Sequence, residues 1–140
     1  MIRVYWDTML FAYWLEDSAE FRERVGQIHR AMQQRGQRLC ASVFTLCELL
    51  VSPRRRQDGV ATQRLQAFFA SSELDLLSLA PAAAPHFAAA RCAGASTGDA
   101  VHLAIAAAAG VDLFLTNDRR LQKLHVPGIA FIAGLDSGLY

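Results

Sequence analysis

Short apolar runs recur along the chain between longer stretches of mixed polarity. Five of these runs are bounded by charged, small or turn-forming residues and predict strands, at residues 4–6, 38–41, 74–79, 111–115 and 129–133. The run at 111–115 has the clearest strand pattern, whereas the run at 74–79 has only moderate strand character. Together the five runs predict the strands of a sheet.

The stretches between the strands carry helical signals. Residues 8–15 are predicted to form a helix or turn directly after the first strand, and residues 18–34 a longer helix that Gly36 ends. Asp17 and Glu20 have the spacing of a capping box at the start of the longer helix. One apolar stripe at helical spacing runs along that helix, made of Phe21, Val25, Ile28 and Met32. We therefore expect this helix to pack on the sheet.

Caps and turn residues delimit the remaining helices. Five are predicted: residues 43–51, a helix after a polar break at 52–59 up to residue 69, residues 81–93, residues 99–109, and a short one to about residue 124. Ser42 is a plausible N-cap for the first of these, and Pro53 is expected to stop it. A loop of small residues at 94–98 precedes the helix that Gly110 closes.

The size and composition of the chain favour one α/β domain. At 140 residues it has the length of a single compact domain, so we expect one domain over residues 1–140 with one site. Hydrophobic residues make up 53% and charged residues 19%, which excludes a disordered chain and favours strands buried on both faces. Strands that alternate with helices predict a predominantly parallel sheet with right-handed crossovers.

The N terminus, the apolar runs and the cysteines indicate the cellular environment of the protein. The N terminus lacks the pattern of a signal peptide, and no apolar run reaches the roughly 20 residues of a membrane-spanning helix. Cys40, Cys47 and Cys92 show neither CxxC nor zinc-ligand spacing, so buried thiols in a reducing cytosol are expected. We therefore expect a soluble, cytoplasmic protein. The net charge of +1 is no nucleic-acid footprint by itself, so a case for RNA must rest on the site.

Four acidic residues stand in apolar surroundings. Asp7 directly follows the first predicted strand, and Asp118 lies three residues after Leu115, the end of the clearest strand. Open parallel sheets bind ligands beyond the carboxyl ends of their strands, which is the kind of place these two acids occupy. Asp99 begins a predicted helix, and Glu48 interrupts an apolar helix in which a lone carboxylate is out of place. The joint arrangement suggests one site.

Each acid also has a simpler structural explanation. Asp99 and Asp118 could be N-cap or first-turn residues that stabilise helix N-termini. Asp7 could cap the helix that begins at Thr8, and Glu48 could lie on the exposed side of its helix. Taken singly, these explanations are at least as good as a functional one. Only the four residues together favour a catalytic site.

Carboxylates that converge need a partner of opposite charge. Like charges a few ångströms apart repel and raise one another's pKa values, so such a cluster requires a cation or trapped protons. Carboxylate and water oxygens suit Mg²⁺ or Mn²⁺, and no His or Cys spacing favours zinc. A cation of this kind can orient a phosphodiester and activate water. The predicted chemistry is phosphodiester hydrolysis.

The segments that carry the four acids resemble the motifs of PIN domains. Residues 4–8 (VYWDT) are similar to the opening strand-Asp-Thr motif, and residues 45–50 (TLCELL) to the motif with a helix-borne Glu. Residues 98–104 (GDAVHLA) resemble the third motif, and residues 115–121 (LTNDRRL) the fourth. Each motif is weak alone, but four in this order over nearly the whole chain are specific.

The resemblance implies a fold, an activity and partners. The fold is a three-layer α/β/α domain with a twisted, predominantly parallel sheet, and the activity is an endoribonuclease dependent on Mg²⁺ or Mn²⁺. A chain of this length resembles the VapC-type toxin of a type II toxin–antitoxin pair, neutralised by a cognate antitoxin. The catalytic and metal-binding residues would be Asp7, Glu48, Asp99 and Asp118, supported by Thr8, Thr116 and Asn117.

The family pattern also implies an oligomeric state and an antitoxin contact, and this sequence departs from the pattern at two positions. A homodimer is implied, and the antitoxin is expected to block the cleft while it contacts apolar surface on the helices from Ser18 and Val43. Met9 stands where a small polar residue is common, and Gly98 where Pro or Ala often precedes the third acid. Neither change removes a carboxylate. His102 is expected to bond to backbone at the edge of the core.

The main alternative is a PIN-like module that binds RNA or a protein without cleaving. The presence of all four acids argues against it, and a test for metal-dependent cleavage separates the two. Aromatic residues near the first strand could stack on bases, but such side chains belong more often to the core. They are Trp6, Tyr13 and Trp14.

Overall fold

A computed structural model describes residues 1–16 and 19–140. In this part of the chain the strands are β1 (Arg3–Trp6), β2 (Arg38–Ser42), β3 (Asp75–Leu77), β4 (Leu113–Leu115) and β5 (Phe131–Ala133). The helices are α1 (Thr8–Leu15), α2 (Ala19–Gln34), α3 (Val43–Arg55), α4 (Gly59–Ala70), α5 (Ala84–Cys92), α6 (Thr97–Ala109) and α7 (Arg119–Gln122). The capping box predicted at Asp17 and the helix start predicted at Ser18 lie outside the described residues.

The described strands form one sheet in the order β3-β2-β1-β4-β5, and every neighbouring pair is parallel. The predicted α/β fold with a parallel sheet is therefore confirmed. From β1 the chain moves outward through β2 to β3 and then returns to the other side of β1 for β4. The strand order thus reverses between β1 and β4, which is where open parallel sheets bind ligands.

The two faces of the sheet carry separate hydrophobic cores. Along β1, Val4 and Trp6 point to one face and Tyr5 to the other, because side chains alternate along a strand. Apolar side chains of α1, α2, α3 and α4 cover the first face, and those of α5, α6 and α7 cover the second. This arrangement confirms the three-layer α/β/α fold.

Two predicted helix ends are confirmed by their caps. The Ser42 side chain accepts the Thr45 N–H at 3.1 Å, and the Thr45 hydroxyl accepts the Ser42 N–H at 3.2 Å, which makes a reciprocal capping box for α3. Gly110 ends α6 with a φ of +67°, a conformation that a side chain disfavours.

Other predicted limits were wrong. Pro53 does not stop α3, which continues to Arg55. Pro53 lies in the last turn of the helix and its ring is buried. It lacks a backbone N–H, so the helix loses one hydrogen bond close to its end. The helix predicted from Asp99 starts two residues earlier, at Thr97, because Ser96 provides the N-cap. The strand predicted at 74–79 spans only Asp75–Leu77.

The prediction that all three cysteines are buried was also wrong. Cys40 is buried in β2, but Cys47 and Cys92 are exposed, on α3 and at the end of α5. All three are free thiols, as the sequence suggested. Within the described residues, no helix combines the length and apolar character that crossing a membrane demands.

Candidate active site

A cleft of about 420 Å³ opens beside the ends of β1 and β4. The four acids singled out in the sequence all line it, each from a different part of the fold: Asp7 after β1, Glu48 on α3, Asp99 on α6 and Asp118 before α7. The carboxyl edge of the sheet supplies two of them, and the helices that flank this edge supply the others. The structure thus brings the four carboxyl groups together, while their chemical roles stay predictions.

Asp7 is a buried carboxylate that also caps a helix. Its side chain accepts the Thr8 N–H at 2.8 Å through Oδ1, so it is the N-cap of α1, and only 8% of the residue is exposed. Burial raises the pKa of the Asp7 carboxyl, and the nearby Asp99 carboxylate adds a smaller increase. His102 and the hydrogen bonds from Thr116 and Thr8 offset part of that rise. Asp7 therefore both caps α1 and lines the cleft.

Thr116 connects two of the acids. Its buried hydroxyl donates to Oδ2 of Asp7 at 2.8 Å and accepts the backbone N–H of Asp118 at 3.0 Å. The Thr116 N–H in turn donates to the Ala133 carbonyl of β5 at 3.0 Å. The predicted supporting role thus corresponds to a defined set of hydrogen bonds at the end of β4.

Glu48 is held on one oxygen by two side chains. The Thr8 hydroxyl donates to Oε1 at 2.7 Å, and Nε2 of His102 lies 2.5 Å from the same oxygen. Burial alone would raise the pKa of Glu48, but the hydrogen bonds from His102 and Thr8 outweigh it and lower that pKa. The side chain remains 38% exposed. Glu48 is therefore a charged group fixed at the mouth of the cleft.

The prediction for His102 was wrong. Both ring nitrogens face side chains instead of backbone, with Nε2 against Glu48 and Nδ1 2.7 Å from the Tyr5 hydroxyl oxygen. The residue is only 2% exposed and lines the cleft. A signal in the sequence could have found it, because His102 is three residues after Asp99 and two such positions share a helix face.

Asp99 lies in the first turn of α6 and is not its cap. The cap is Ser96, whose hydroxyl accepts the Asp99 N–H at 3.2 Å. Among the described residues, no hydrogen-bond donor reaches the Asp99 carboxylate, although its position at the helix N-terminus favours a negative charge. Asp99 is therefore not the N-cap, but it is a first-turn residue, which is the other simple explanation that the sequence offered.

Asp118 is paired with Arg120. Its Oδ1 accepts the Arg120 backbone N–H at 2.9 Å, and its Oδ2 accepts a guanidinium N–H at 2.9 Å. The hydrogen bond from Arg120 is the largest influence on Asp118 and lowers its pKa. The Arg120 side chain is 87% exposed and so can leave this position at small cost.

The remaining predicted positions border the cleft. Asn117 donates to the Tyr13 hydroxyl at 3.3 Å, which places this aromatic residue at the site instead of wholly in the core. Met9 is 48% exposed and lines the opening. A side chain at Gly98 would meet nothing within 4 Å, so the absence of Pro or Ala there is not imposed by crowding.

The carboxylate oxygens of the cleft are donors of the type that would hold a hard divalent cation. The described residues contain no group of three or more His, Cys, Asp or Glu already placed to hold a metal ion. Asp7 accepts a hydrogen bond on each oxygen, and Glu48 accepts on Oε1 only. Asp118 is paired with Arg120, and no hydrogen bond among the described residues reaches the Asp99 carboxylate. All of these donors are oxygens, the atoms that Mg²⁺ and Mn²⁺ prefer.

The parallel sheet and the acidic cleft at its carboxyl edge define an α/β domain with a carboxylate site at the point where the strand order reverses. The family model of the PIN domain matches residues 4–126, most of the chain. The chain belongs to the PIN domain family.

Solved structures with the same fold come from several bacteria. VapBC2 from Rickettsia felis, bound to a DNA fragment from its promoter, has a TM-score of 0.75 at 12% identity and covers 95% of this chain and 98% of its own. DNA-bound VapBC from Salmonella typhimurium has a TM-score of 0.68 at 22% identity, with coverage of 96% and 99%.

A third match is VapC20 of Mycobacterium tuberculosis, described as a toxin that cleaves the sarcin–ricin loop. Its TM-score is 0.66 at 14% identity, and it covers 79% of this chain and 86% of its own. At these identities the likeness concerns the fold. Among curated protein sequences, none matches the chain.

Proposed function

We propose that this PIN domain is a metal-dependent endoribonuclease and the toxin of a VapBC-type toxin–antitoxin pair. The observation that carries the proposal is the convergence of Asp7, Glu48, Asp99 and Asp118, from four separate elements, on one cleft. Membership of the PIN family and the likeness to VapBC structures support the same function.

The chemistry follows from what the four acids can hold. A Mg²⁺ or Mn²⁺ ion bound by Asp7 and Asp99, with Glu48 and Asp118 completing the site, would orient a phosphodiester and activate a water molecule for attack. Asp7 is ready for that role, because Thr8 and Thr116 each hold one of its oxygens in place. Asp118 has to exchange Arg120 for the new ligand, and the exposure of Arg120 makes this exchange easy.

The electrostatics of the cleft agree with such a site. Burial raises the pKa of Asp7, and the Asp99 carboxylate adds a smaller increase, so the charged form of Asp7 is costly without a cation. A bound divalent ion offsets that cost, whereas a helix cap alone needs no second acid beside it. This feature favours a catalytic role over a purely structural one.

The competing proposal is a domain that binds RNA or protein without cleaving it. The test uses the full chain, purified free of partners, on a panel of structured and unstructured RNAs and on DNA of the same sequences. Cleavage of RNA with Mg²⁺ or Mn²⁺, its loss with chelator and its return on adding metal are the expected results. Folded protein that binds RNA but cleaves none of the panel with either metal would favour the silent module.

We further propose that a second groove, which shares no lining residue with the cleft, receives the antitoxin. It has a volume of about 690 Å³ and lies between the end of α1, the end of α3 and one side of α4, with one residue of α2 among those that line it. Its apolar lining comprises Trp14, Leu15, Pro53, Val60, Leu65 and Phe68, and charges of both signs surround this lining. Such a surface suits an amphipathic helix.

The groove differs from the surface expected from the sequence. The sequence predicts contact with the helices from Ser18 and Val43, and that prediction stays untested; the proposed groove includes residues of α2 and α3 but takes most of its lining from α4 and the end of α1. We propose that the antitoxin continues from such a helix as a tail whose Arg or Lys pairs with the acids of the cleft. A complex that cleaves RNA as fast as the free protein would contradict this mode of inhibition.

A homodimer is also proposed, on the strength of the family alone. Light scattering at several protein concentrations tests it directly. A monomer at every working concentration would contradict the proposal.

A further inference from the structure

We propose that His102 is a positioning residue, which holds the Glu48 carboxylate in the cleft and is itself held by Tyr5. The inference rests on the proposed cleavage reaction for its effect on activity, but the hydrogen-bonded arrangement can be tested without that reaction. Neither His102 nor Tyr5 is among the four acids that the sequence predicts for the site.

The geometry forms a continuous chain from the core to the cleft. Nε2 of His102 lies 2.5 Å from Oε1 of Glu48, and Nδ1 lies 2.7 Å from the Tyr5 hydroxyl oxygen. That hydroxyl also lies 2.9 Å from the Ser42 hydroxyl, to which it donates, and 3.4 Å from that of Thr45. A buried strand residue is thereby connected to an exposed acid through the imidazole ring.

The ring cannot turn freely. Tyr5 and His102 are both buried, at 0% and 2% exposure, and the His102 ring packs against the rings of Tyr5 and Phe44 with centroid distances of 5.9 and 5.1 Å. Ser42 and Thr45, which anchor Tyr5, are also the two residues of the α3 capping box. The start of the helix that carries Glu48 therefore also fixes the ring that contacts Glu48.

The two donors leave one oxygen of Glu48 unused. Thr8 and His102 both approach Oε1, and no described residue donates to Oε2. Glutamate has several rotatable bonds, so an exposed Glu48 without these contacts would sample many orientations. Held as it is, the carboxylate presents Oε2 to a cation or a water molecule. Loss of such an orienting contact commonly weakens metal binding or activity by about 10- to 100-fold.

Two substitutions separate positioning from packing. The side-chain amide of His102→Gln can reach the place of Nε2 and donate to Glu48, whereas His102→Asn reaches only the place of Nδ1, beside Tyr5. A packing role predicts similar losses for both variants. A positioning role predicts that His102→Asn loses about 10- to 100-fold in Mn²⁺ affinity and kcat with little change in KM, and that His102→Gln restores most of both.

A double-mutant cycle with Glu48→Gln completes the test. In the Glu48→Gln background, His102→Asn is expected to change neither Mn²⁺ affinity nor kcat further, because the group that it holds is already altered. Urea denaturation of the metal-free proteins gives a second cycle, in which the double variant is expected to lose less stability than the sum of the single variants.

Additive effects in both cycles, or equal losses for His102→Gln and His102→Asn, would overturn the positioning role. Wild-type protein that neither binds Mn²⁺ nor cleaves RNA would instead refute the proposed function. In that case the denaturation cycle alone still decides whether His102 holds Glu48.

Discussion

The hydroxyl of Thr116 donates a hydrogen bond of 2.8 Å to Oδ2 of Asp7, across 109 positions of the chain. Both residues are buried, so this bond ties the end of β4 to the end of β1 away from water. Thr116→Val keeps the shape of the side chain but leaves the carboxylate oxygen without its donor. We expect the free energy of unfolding to fall by about 1–3 kcal/mol, measured by urea denaturation.

Thr97→Val is the matched control for this change. Thr97 is an exposed residue in the first turn of α6, so the same substitution there is expected to change stability by less than about 0.5 kcal/mol. Equal losses at the two positions would contradict a special role for the bond between Thr116 and Asp7.

Asp99→Asn is expected to abolish RNA cleavage and leave the protein folded. The change keeps the size of the side chain but replaces a charged ligand with a neutral carbonyl oxygen, which a hard cation binds more weakly. Because Ser96 and not Asp99 caps α6, helix capping is unaffected. With chelator present the melting temperature is expected to stay the same or rise, since one of several neighbouring acids has lost its charge.

Asp136→Asn provides the control, because it is the same substitution at an exposed residue outside the cleft. It is expected to cleave at the wild-type rate. Equal cleavage by Asp99→Asn and wild type would refute a catalytic Asp99, and unfolding of the variant would be detected in the melting curve.

The pKa of Asp7 predicts a pH dependence of stability. Burial raises this pKa above its ordinary value of 3.8, so the folded protein holds the proton more tightly than the unfolded chain. The stabilising contribution of Asp7 is thus fully present below pH 3.8 and is lost as the pH rises through the folded-state pKa.

Asp7→Asn removes this titration while it caps α1 about as well. Urea denaturation between about pH 4 and pH 8, with chelator, is therefore expected to show the variant gaining on the wild type as the pH rises. If the difference in unfolding free energy between the variant and the wild type does not change with pH, the pKa of Asp7 is not raised.

Arg120→Gln is expected to tighten the binding of divalent cations. The guanidinium of Arg120 occupies Oδ2 of Asp118, so it competes with a cation for the same group. An ion pair this exposed is weak, so the expected gain in Mn²⁺ affinity is at most about fivefold. Titration of free Mn²⁺ by electron paramagnetic resonance measures it.

The neighbouring Arg119 supplies the comparison. It is exposed, and the contacts of Asp118 come from Arg120, so Arg119→Gln changes the net charge equally without freeing the carboxylate. If both variants bind Mn²⁺ with the same affinity, Asp118 is not a ligand that Arg120 blocks.

Val60→Glu tests the groove proposed for the antitoxin. Val60 is 61% exposed in the first turn of α4, where an acidic residue is favourable to the helix, so the fold is expected to hold. A charge in the apolar lining is expected to weaken antitoxin binding at least tenfold while RNA cleavage by the free protein is unchanged. Leu79→Glu is the control, because Leu79 is 59% exposed and lies outside the groove. Equal binding by both variants would exclude this groove.

The spacing of apolar runs in the sequence was sufficient to predict the sheet, because strands that are buried on both faces are apolar along their whole length. Limits that depend on tertiary packing were harder to predict. Pro53 remains in α3 because its ring is buried, and that burial is invisible in a local pattern. Ser96 caps α6, but Ser96 and Asp99 are both residue types that favour an N-cap, so the local sequence did not decide between them.

In the candidate site, too, the local features could be predicted from the sequence and the tertiary contacts could not. Each acid was found by its place after a strand, at the start of a helix or within an apolar helix, which are local features. The partners of those acids come from distant parts of the chain, such as Thr8 for Glu48 and Thr116 for Asp7. His102 was misjudged because its contacts with Tyr5 and Glu48 join residues 97 and 54 positions apart.

The pairing of β1 with β4 has a consequence for the timing of synthesis. The Asp7 N–H donates to the Leu115 carbonyl at 2.9 Å, so an early part of the chain is completed by a late one. A ribosome releases the N-terminal segment long before residue 118 has left the exit tunnel, and until then Asp7 has neither this bond nor that from Thr116. A nascent copy of the chain therefore has no complete cleft until the segment that carries Thr116 and Asp118 has emerged from the ribosome.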